Sequence, residues 1–508
     1  MRKRLAEGSS YGKLILLIGL LIAVPLAVVP FYPAEAIFIP SFLIPSAISS
    51  IAGFAICMLT PRKEKPVTEW QSPQQRGSLP VMIAWSFAIL AGAVPLTTGG
   101  QLPFFLALFE SVSGWTTTGL TVMDVALVPH IYLFHRAFMQ YCGGLGFIIM
   151  IAMLMQGNQN MNLFNAEGHP DRLMPSLKKT SQTIFQLYSC FLVIGTFIYC
   201  LFGMELFDAI CHTMSALSTA GFTTQANSIG QYGSLPIEMI TVILMLVGST
   251  NFTILLLLAR RDFRKIASVS EVKFMGALLL VFVPLAAFSL AHNTGMGFGR
   301  SLMESLFGIV TTFTTSGYST MYYAGWPPFA LGLLMLLMII GGSAGSTAGG
   351  IKLIRTYLLI IITKENIKTR LSPARHVTSP AYYRAQGRTP IDDALINDTL
   401  GFVACYMGVF IVGTLLLTLT ASCSLFDAMF EFASAFGTVG ISNGLTNPNA
   451  SVGSLAILMV GMLLGRLEIF IVFIGLYAGV HLLRQKIEML RNEKIQIRGW
   501  KKKDEEEA

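Results

Sequence analysis

Charge is what this chain has least of. Only 12% of its 508 residues are Asp, Glu, Lys or Arg, and 53% are hydrophobic. Ordinary soluble domains carry about twice that charged fraction. With a mean hydropathy of +0.64, this is the composition of a multi-span membrane protein. Catalytic signatures are missing as well: there is no HExxH, no GxSxG and no pair of carboxylates placed for acid–base work. That disfavours a membrane enzyme. The seven cysteines (Cys57, Cys142, Cys190, Cys200, Cys211, Cys405 and Cys423) form no CxxC and no Cys/His metal spacing. They lie mostly within apolar stretches and are read as small buried hydrophobes. The net charge of +8 does not indicate nucleic acid, because the basic residues sit in short connections between apolar runs.

What the chain does have is apolar runs. Met1-Arg2-Lys3-Arg4 leads into one from about Leu14 to Val29, and a second follows from about Ile37 to Leu59. Pro33-Ala34-Glu35-Ala36 between them could pass for a signal-peptidase site, but the second run directly after it predicts a helical hairpin. Beyond the polar, basic segment Pro61–Ser78, four units follow, each reading apolar helix, short re-entrant helix, polar small-residue segment, apolar helix. The second apolar helices are expected at about Ile131–Met155, Pro236–Leu258, Pro327–Ile362 and Gly453–Leu483. The re-entrant pieces, near Pro103–Trp115, Glu205–Leu217, Gly299–Phe313 and Ser424–Ala435, are too short to span, since a span needs about 20 apolar residues. The expected fold is therefore an all-α membrane protein of about ten transmembrane helices. Residues 1–77 form the N-terminal hairpin, and the four units occupy 78–180, 181–270, 271–392 and 393–508 around one pseudo-fourfold pore.

The small-residue segments carry the functional signal. They read Thr117-Thr118-Gly119-Leu120-Thr121, Thr219-Ala220-Gly221-Phe222-Thr223, Thr315-Ser316-Gly317-Tyr318-Ser319 and Thr438-Val439-Gly440-Ile441-Ser442. Each is Thr, small or Val, Gly, large apolar, Ser or Thr. Asp208, Glu304 and Asp427 stand in register upstream of the last three, and the first has Leu106 there. A fourfold internal repeat explains this register. Irregular backbone at membrane depth must be buried in protein or line a water-filled path. Potassium-channel filters use a Thr-Val-Gly-Tyr-Gly segment whose backbone carbonyls replace the ion's hydration shell. Candidate ligands are thus the carbonyls of Thr117, Thr118, Thr219, Ala220, Thr315, Ser316, Thr438 and Val439. Gly119, Gly221, Gly317 and Gly440 supply the φ freedom that aims them.

Lysine and arginine concentrate in Pro61–Ser78, Asn158–Thr180, Arg260–Lys273, Lys352–Arg388 and the tail after His481. By the positive-inside rule these are cytoplasmic, the N-terminus is inside, and all four filters face out. Asp208, Glu304 and Asp427 would cap their re-entrant helices and could also form an outer ring of negative charge. Glu110 and Glu431 match one turn further on, where the other units have His212 and Gly308. In the third unit, Gly341 to Gly350 holds five glycines in ten residues, which makes a continuous helix unfavourable. It is not a phosphate loop, since Ile351-Lys352 follows rather than Lys-Ser/Thr. It reads as an unwound segment below the filter, with Gly345, Ser346 and Thr347 at its centre. At the equivalent point of the fourth unit, Arg466 and Glu468 stand inside an apolar span. Intramembrane charges are functional by default, and residues two apart on a helix make a poor ion pair. Arg466 is therefore placed facing the pore as part of a gate.

At these residues the chain resembles the Trk/Ktr/HKT superfamily of potassium transporters, and within it the bacterial Trk-type membrane subunit. The resemblance rests on the four filters, the Gly341–Gly350 loop and Arg466, and covers nearly the whole chain. The extra N-terminal hairpin points to the Trk branch. It implies potassium-ion uptake through one pore per subunit, often tied to sodium or protons, in a homodimer embedded in membrane lipid. It also implies the bacterial inner membrane and a cytosolic nucleotide-binding regulatory subunit, for which Lys352–Arg388 is a candidate contact. In that superfamily a serine at the first filter glycine accompanies sodium preference, and all four glycines are present here. The alternative reading, an alternating-access cation-coupled secondary transporter, calls for inverted repeats, whereas these four units run in one orientation.

Overall fold

The computed structural model describes residues 9–59, 73–146, 177–371, 380–481, 484–485 and 487–488. Of the five expected cytoplasmic segments, most of Pro61–Ser78, Asn158–Thr180 and the tail lies outside these residues, as do residues 372–379 within Lys352–Arg388.

Two helices, α1 (Ser10–Ala23) and α2 (Ile39–Leu59), form the N-terminal hairpin. They approach closely because glycines omit the Cβ. One added at Gly53 would collide with the backbone of Leu16, and one at Gly12 would press on Cys57 at 2.7 Å. Glu35, between the helices, ties the hairpin to the rest of the molecule. Its carboxylate accepts from the N–H groups of His130 and Ile131, each at 2.8 Å. An acid there suits a helix N-terminus, where backbone donors are unpaired.

The four units then follow in order. The first is α3 (Pro73–Thr98), α4 (Phe104–Trp115) and α5 (His130–Leu145). The second is α6 (Leu177–Leu201), α7 (Leu206–Leu217), α8 (Leu235–Gly248) and α9 (Phe252–Ala259), with a short connector, α10 (Phe263–Ser268). The third is α11 (Ser270–Thr294), α12 (Phe298–Phe313), α13 (Pro328–Ile340) and α14 (Leu353–Leu371). The fourth is α15 (Asp393–Thr420), α16 (Leu425–Phe436), α17 (Val452–Arg466) and α18 (Ile469–His481). Among the described residues six helices are long and apolar enough to cross a membrane, and eight spans result if each of two bent pairs is one span. The helices α4, α7 and α16 have 12 residues each, about 18 Å, which is too short to cross. The fold is an all-α membrane architecture.

Two expectations need correcting. Continuous spans were expected over Pro236–Leu258 and Gly453–Leu483, but both are broken, with bends of 113° and 102°. The sequence supplies partners for the new helix ends. Asn251 caps α9 by accepting from the Thr253 N–H at 2.7 Å, and the Thr250 hydroxyl donates to the Leu246 carbonyl at 2.6 Å. In the first unit α5 ends at Leu145 with Gly146 (φ 81°) as its cap, and the rest of the expected span to Met155 lies outside the described residues. The break in the third unit is therefore not unique. The second correction concerns the cysteines. All the described ones are unpaired, but only Cys57, Cys142 and Cys211 are buried, and Cys190 is exposed.

A β-hairpin, β1 (Ala381–Arg384) with β2 (Gly387–Pro390), follows α14. Tyr382 is buried against Leu358, Ile362 and Ile391. This part of the Lys352–Arg388 segment is thus folded onto α14.

Candidate functional site

Each re-entrant helix ends in the same way. The residue at the turn is a threonine in the left-handed region: Thr117 (φ 54°), Thr219 (φ 50°), Thr315 (φ 56°) and Thr438 (φ 53°). Its N–H bonds back to Gly114, Ala216, Thr312 or Ala435, and the next N–H bonds to Ser113, Ser215, Thr311 or Ser434 at 2.8–3.0 Å. This pair of bonds is a Schellman cap, which usually has glycine at the left-handed position. A β-branched residue there is a genuine outlier. Four copies of a strain of about 1–3 kcal/mol each mark a functional segment.

Two residues on, Gly119, Gly221, Gly317 and Gly440 also have positive φ, between 74° and 93°. Their surroundings show how the units are arranged. A Cβ on Gly119 would collide with the carbonyl oxygen of Ala220. One on Gly221 would strike that of Ser316, one on Gly317 that of Val439, and one on Gly440 that of Thr118. Each segment abuts the next in chain order, and the fourth returns to the first. The four segments close a ring, and Thr118, Ala220, Ser316 and Val439 share one level of it.

Buried acids hold the chain beyond each glycine. Glu110 is fully buried and accepts from the Val122 N–H at 2.6 Å and from Arg136 Nε at 3.1 Å. Glu431 accepts from the Asn443 N–H at 3.0 Å and the Ser442 hydroxyl at 2.8 Å. In the second unit the task passes to Asp208, which accepts from Thr224, Gln225 and Tyr232 at 2.7–2.9 Å. In the third, Glu304 accepts from the Thr320 hydroxyl and pairs with Arg300. Trp326 fills the space over Gly308, 2.6 Å from where a Cβ would stand. Asp208 and Glu304 are 8% and 3% exposed and staple the loops after the filters, while Asp427 accepts from Asn443 Nδ2 at 3.1 Å.

The Gly341–Gly350 loop lies directly against the inner side of this ring. The Thr347 hydroxyl sits 3.0 Å from that of Thr219 and bonds the Gly248 carbonyl at 2.9 Å. The Gly349 N–H donates to the Thr315 hydroxyl at 3.0 Å. Ser346 turns inward and donates to the Ser343 carbonyl at 2.6 Å, and the Gly345 carbonyl accepts from the Phe252 N–H at 3.3 Å. Arg466 reaches the loop from α17. It donates to the Thr347 carbonyl and to that of Gly143 on α5 at 2.5 Å. Glu468, with φ 58°, turns the other way and pairs with Arg355 of α14 at 3.0 Å. The two charges thus have separate partners. Ala344 is clamped from both sides, by Glu271 on its N–H at 2.9 Å and Asn251 on its carbonyl at 2.6 Å. Neither clamp residue was foreseen. Glu271 stands at the polar start of a span, and nothing in its neighbours' pattern points to a loop 73 positions away.

The profile of the cation transport protein family TrkH matches residues 48–296 and 294–477. The chain belongs to the TrkH family. It is 30% identical over 484 residues to the Trk system potassium uptake protein TrkG of Escherichia coli K12, covering 92% of this chain and 96% of that one. It is also 30% identical over 423 residues to the TrkH protein of the same strain, covering 80% and 86%. Among solved structures it is similar to the potassium transporter TrkH from Vibrio parahaemolyticus. The TM-score is 0.80 at 27% identity, covering 93% of this chain and 98% of that one. A TrkH-family chain is a transporter, not an enzyme.

Proposed function

We propose that this TrkH-family chain takes up potassium ions across the bacterial inner membrane through a channel-like pore. The closed ring of four left-handed-threonine segments carries this reading, together with the names of its relatives. Carbonyls of Thr117, Thr118, Thr219, Ala220, Thr315, Ser316, Thr438 and Val439 replace the ion's hydration shell, and the filter glycines let adjacent carbonyls approach without a clash. The loop touches the ring threonines on the side where the re-entrant helices end, and with Arg466 bonded to it the two control the inner side. With Thr347 and Gly349 bonded to filter hydroxyls, the loop blocks the path. Arg466 latches it to α5 and adds a positive charge that repels a cation. The working assembly is a homodimer in membrane lipid with a cytosolic nucleotide-binding regulatory subunit, the N-terminus lying inside.

Purified protein in liposomes, with potassium and sodium gradients varied independently, tests the reading. Potassium flux that follows the potassium gradient supports it. Flux that requires a second ion's gradient, with none in its absence, would favour an alternating-access carrier.

A further inference from the structure

One polar side chain crosses from the first unit into the filter of the second. Gln140 on α5 has no exposure. Its Nε2 donates to the Ala220 carbonyl at 2.9 Å. Its Oε1 accepts from the Phe222 N–H at 3.1 Å and from the Ser215 hydroxyl at 2.8 Å. Ala220 and Phe222 flank Gly221, so one side-chain amide grips both peptide units of a filter glycine.

The other inner helices are built differently at this level. Gly143, Gly248 and Gly465 mark a common height, because a Cβ on each would strike the carbonyl of the residue two before the filter threonine, namely Trp115, Leu217 or Phe436. Three residues earlier stand Gln140, Met245 and Met462. Only the first of these three is polar. The supporting hydroxyls differ in the same way. Ser113 and Ser434 accept from the N–H groups of Gly119 and Gly440, at 3.0 and 3.1 Å. The corresponding Ser215 donates to Gln140 instead.

We propose that Gln140 is a specificity-determining positioning residue of the filter, acting through the Ala220 carbonyl. The inference rests on the filter reading above. A carbonyl oxygen has two lone pairs, and a hydrogen bond to one of them fixes the carbonyl, while the partial positive charge of the donor N–H lowers the net field that a cation meets there. Ion preference depends on cavity size and on the field strength of the coordinating carbonyls. Both act in one direction here. A fixed carbonyl cannot close around a smaller ion, and a lowered field does not repay that ion's larger dehydration cost. Gln140 thereby favours potassium over sodium at this level of the ring.

The test uses the full chain in liposomes, with rubidium as tracer and sodium as competitor. Gln140→Met installs the residue found at the equivalent positions at similar volume. Gln140→Leu, close to glutamine in shape and uncharged, removes the donation to Ala220 as well, with no thioether to contact the carbonyl. In both variants sodium should inhibit rubidium uptake at ~2- to 10-fold lower concentration, the range one hydrogen bond represents. An unchanged sodium inhibition constant, whether total uptake is normal or reduced, overturns the proposal. So does loss of folded protein in both variants, which would assign Gln140 to stability. Gly221→Ser run in parallel separates the two readings. If it shifts the constant and the Gln140 variants do not, this inference falls and the filter stands. If none shifts it, the filter reading falls too.

Discussion

The Arg136–Glu110 pair shows what a sequence position alone leaves out. Arg136 stands in the second apolar helix of the first unit. In the structure its side chain is 1% exposed, pairs with Glu110 at 3.1 Å and lies 4.0 Å over the Phe222 ring. The pair links the chain after the first two left-handed threonine segments, since Arg136 also donates to Thr121 Oγ1 at 2.8 Å and to the Thr223 carbonyl at 3.5 Å. Removing one member of a buried pair strands the other charge and costs about 3–5 kcal/mol. Arg136→Met should therefore lower the melting temperature of the purified protein markedly. Arg136→Met combined with Glu110→Gln should recover most of the loss. Equal destabilisation in the single and double variants would show that packing over Phe222 matters rather than charge. The threonines were legible as residues but not as conformations: nothing in Thr117 or Thr438 signals positive φ, which goes with the cap made by the threonine's own N–H and the one after it.

At the scale of elements, the re-entrant helices were legible almost to the residue. Their length and polarity exclude a span, and small polar residues end them. The inner-helix breaks were legible only where glycine is dense. Gly248-Ser249-Thr250-Asn251 breaks α8 from α9 with one glycine, because Asn251 and Thr250 satisfy the freed backbone groups, and an apolar count does not register that. The loop and Arg466 were expected to meet beneath the filter, and Thr347 and Arg466 are indeed hydrogen-bonded. The latch reading gives a definite outcome. A positive charge about 8 Å from a passing ion, at an effective dielectric of about 20, raises its energy by ~2 kcal/mol, and removing that from a limiting barrier speeds passage roughly thirtyfold. Arg466→Ala, and deletion of Ser343–Ala348, should each raise potassium flux normalised to folded protein. If Arg466 instead serves only to satisfy the carbonyls of Thr347 and Gly143, the alanine variant should express poorly or carry less flux. Glu468→Gln leaves Arg466 and the loop in contact and should have a smaller effect on flux than Arg466→Ala.

At the scale of the whole molecule, the fourfold repeat was the most legible feature, because register survives where residues vary. One pseudo-fourfold pore was expected, but the contacts by which the ring closes were not legible. Closure depends on each of the four glycines touching a carbonyl of the next unit, a contact between segments far apart in sequence, and between the fourth unit and the first it crosses most of the chain. Closure makes the four glycines equivalent in role. A side chain at any one of them would press on the neighbour's carbonyl and widen the ring, whichever unit it sits in. Sodium inhibition of rubidium uptake in Gly119→Ser, Gly221→Ser, Gly317→Ser and Gly440→Ser, each checked for folding, tests this most directly. A ring-shaped filter predicts that all four folded variants lose rubidium preference over sodium. Wild-type discrimination in all four would contradict it.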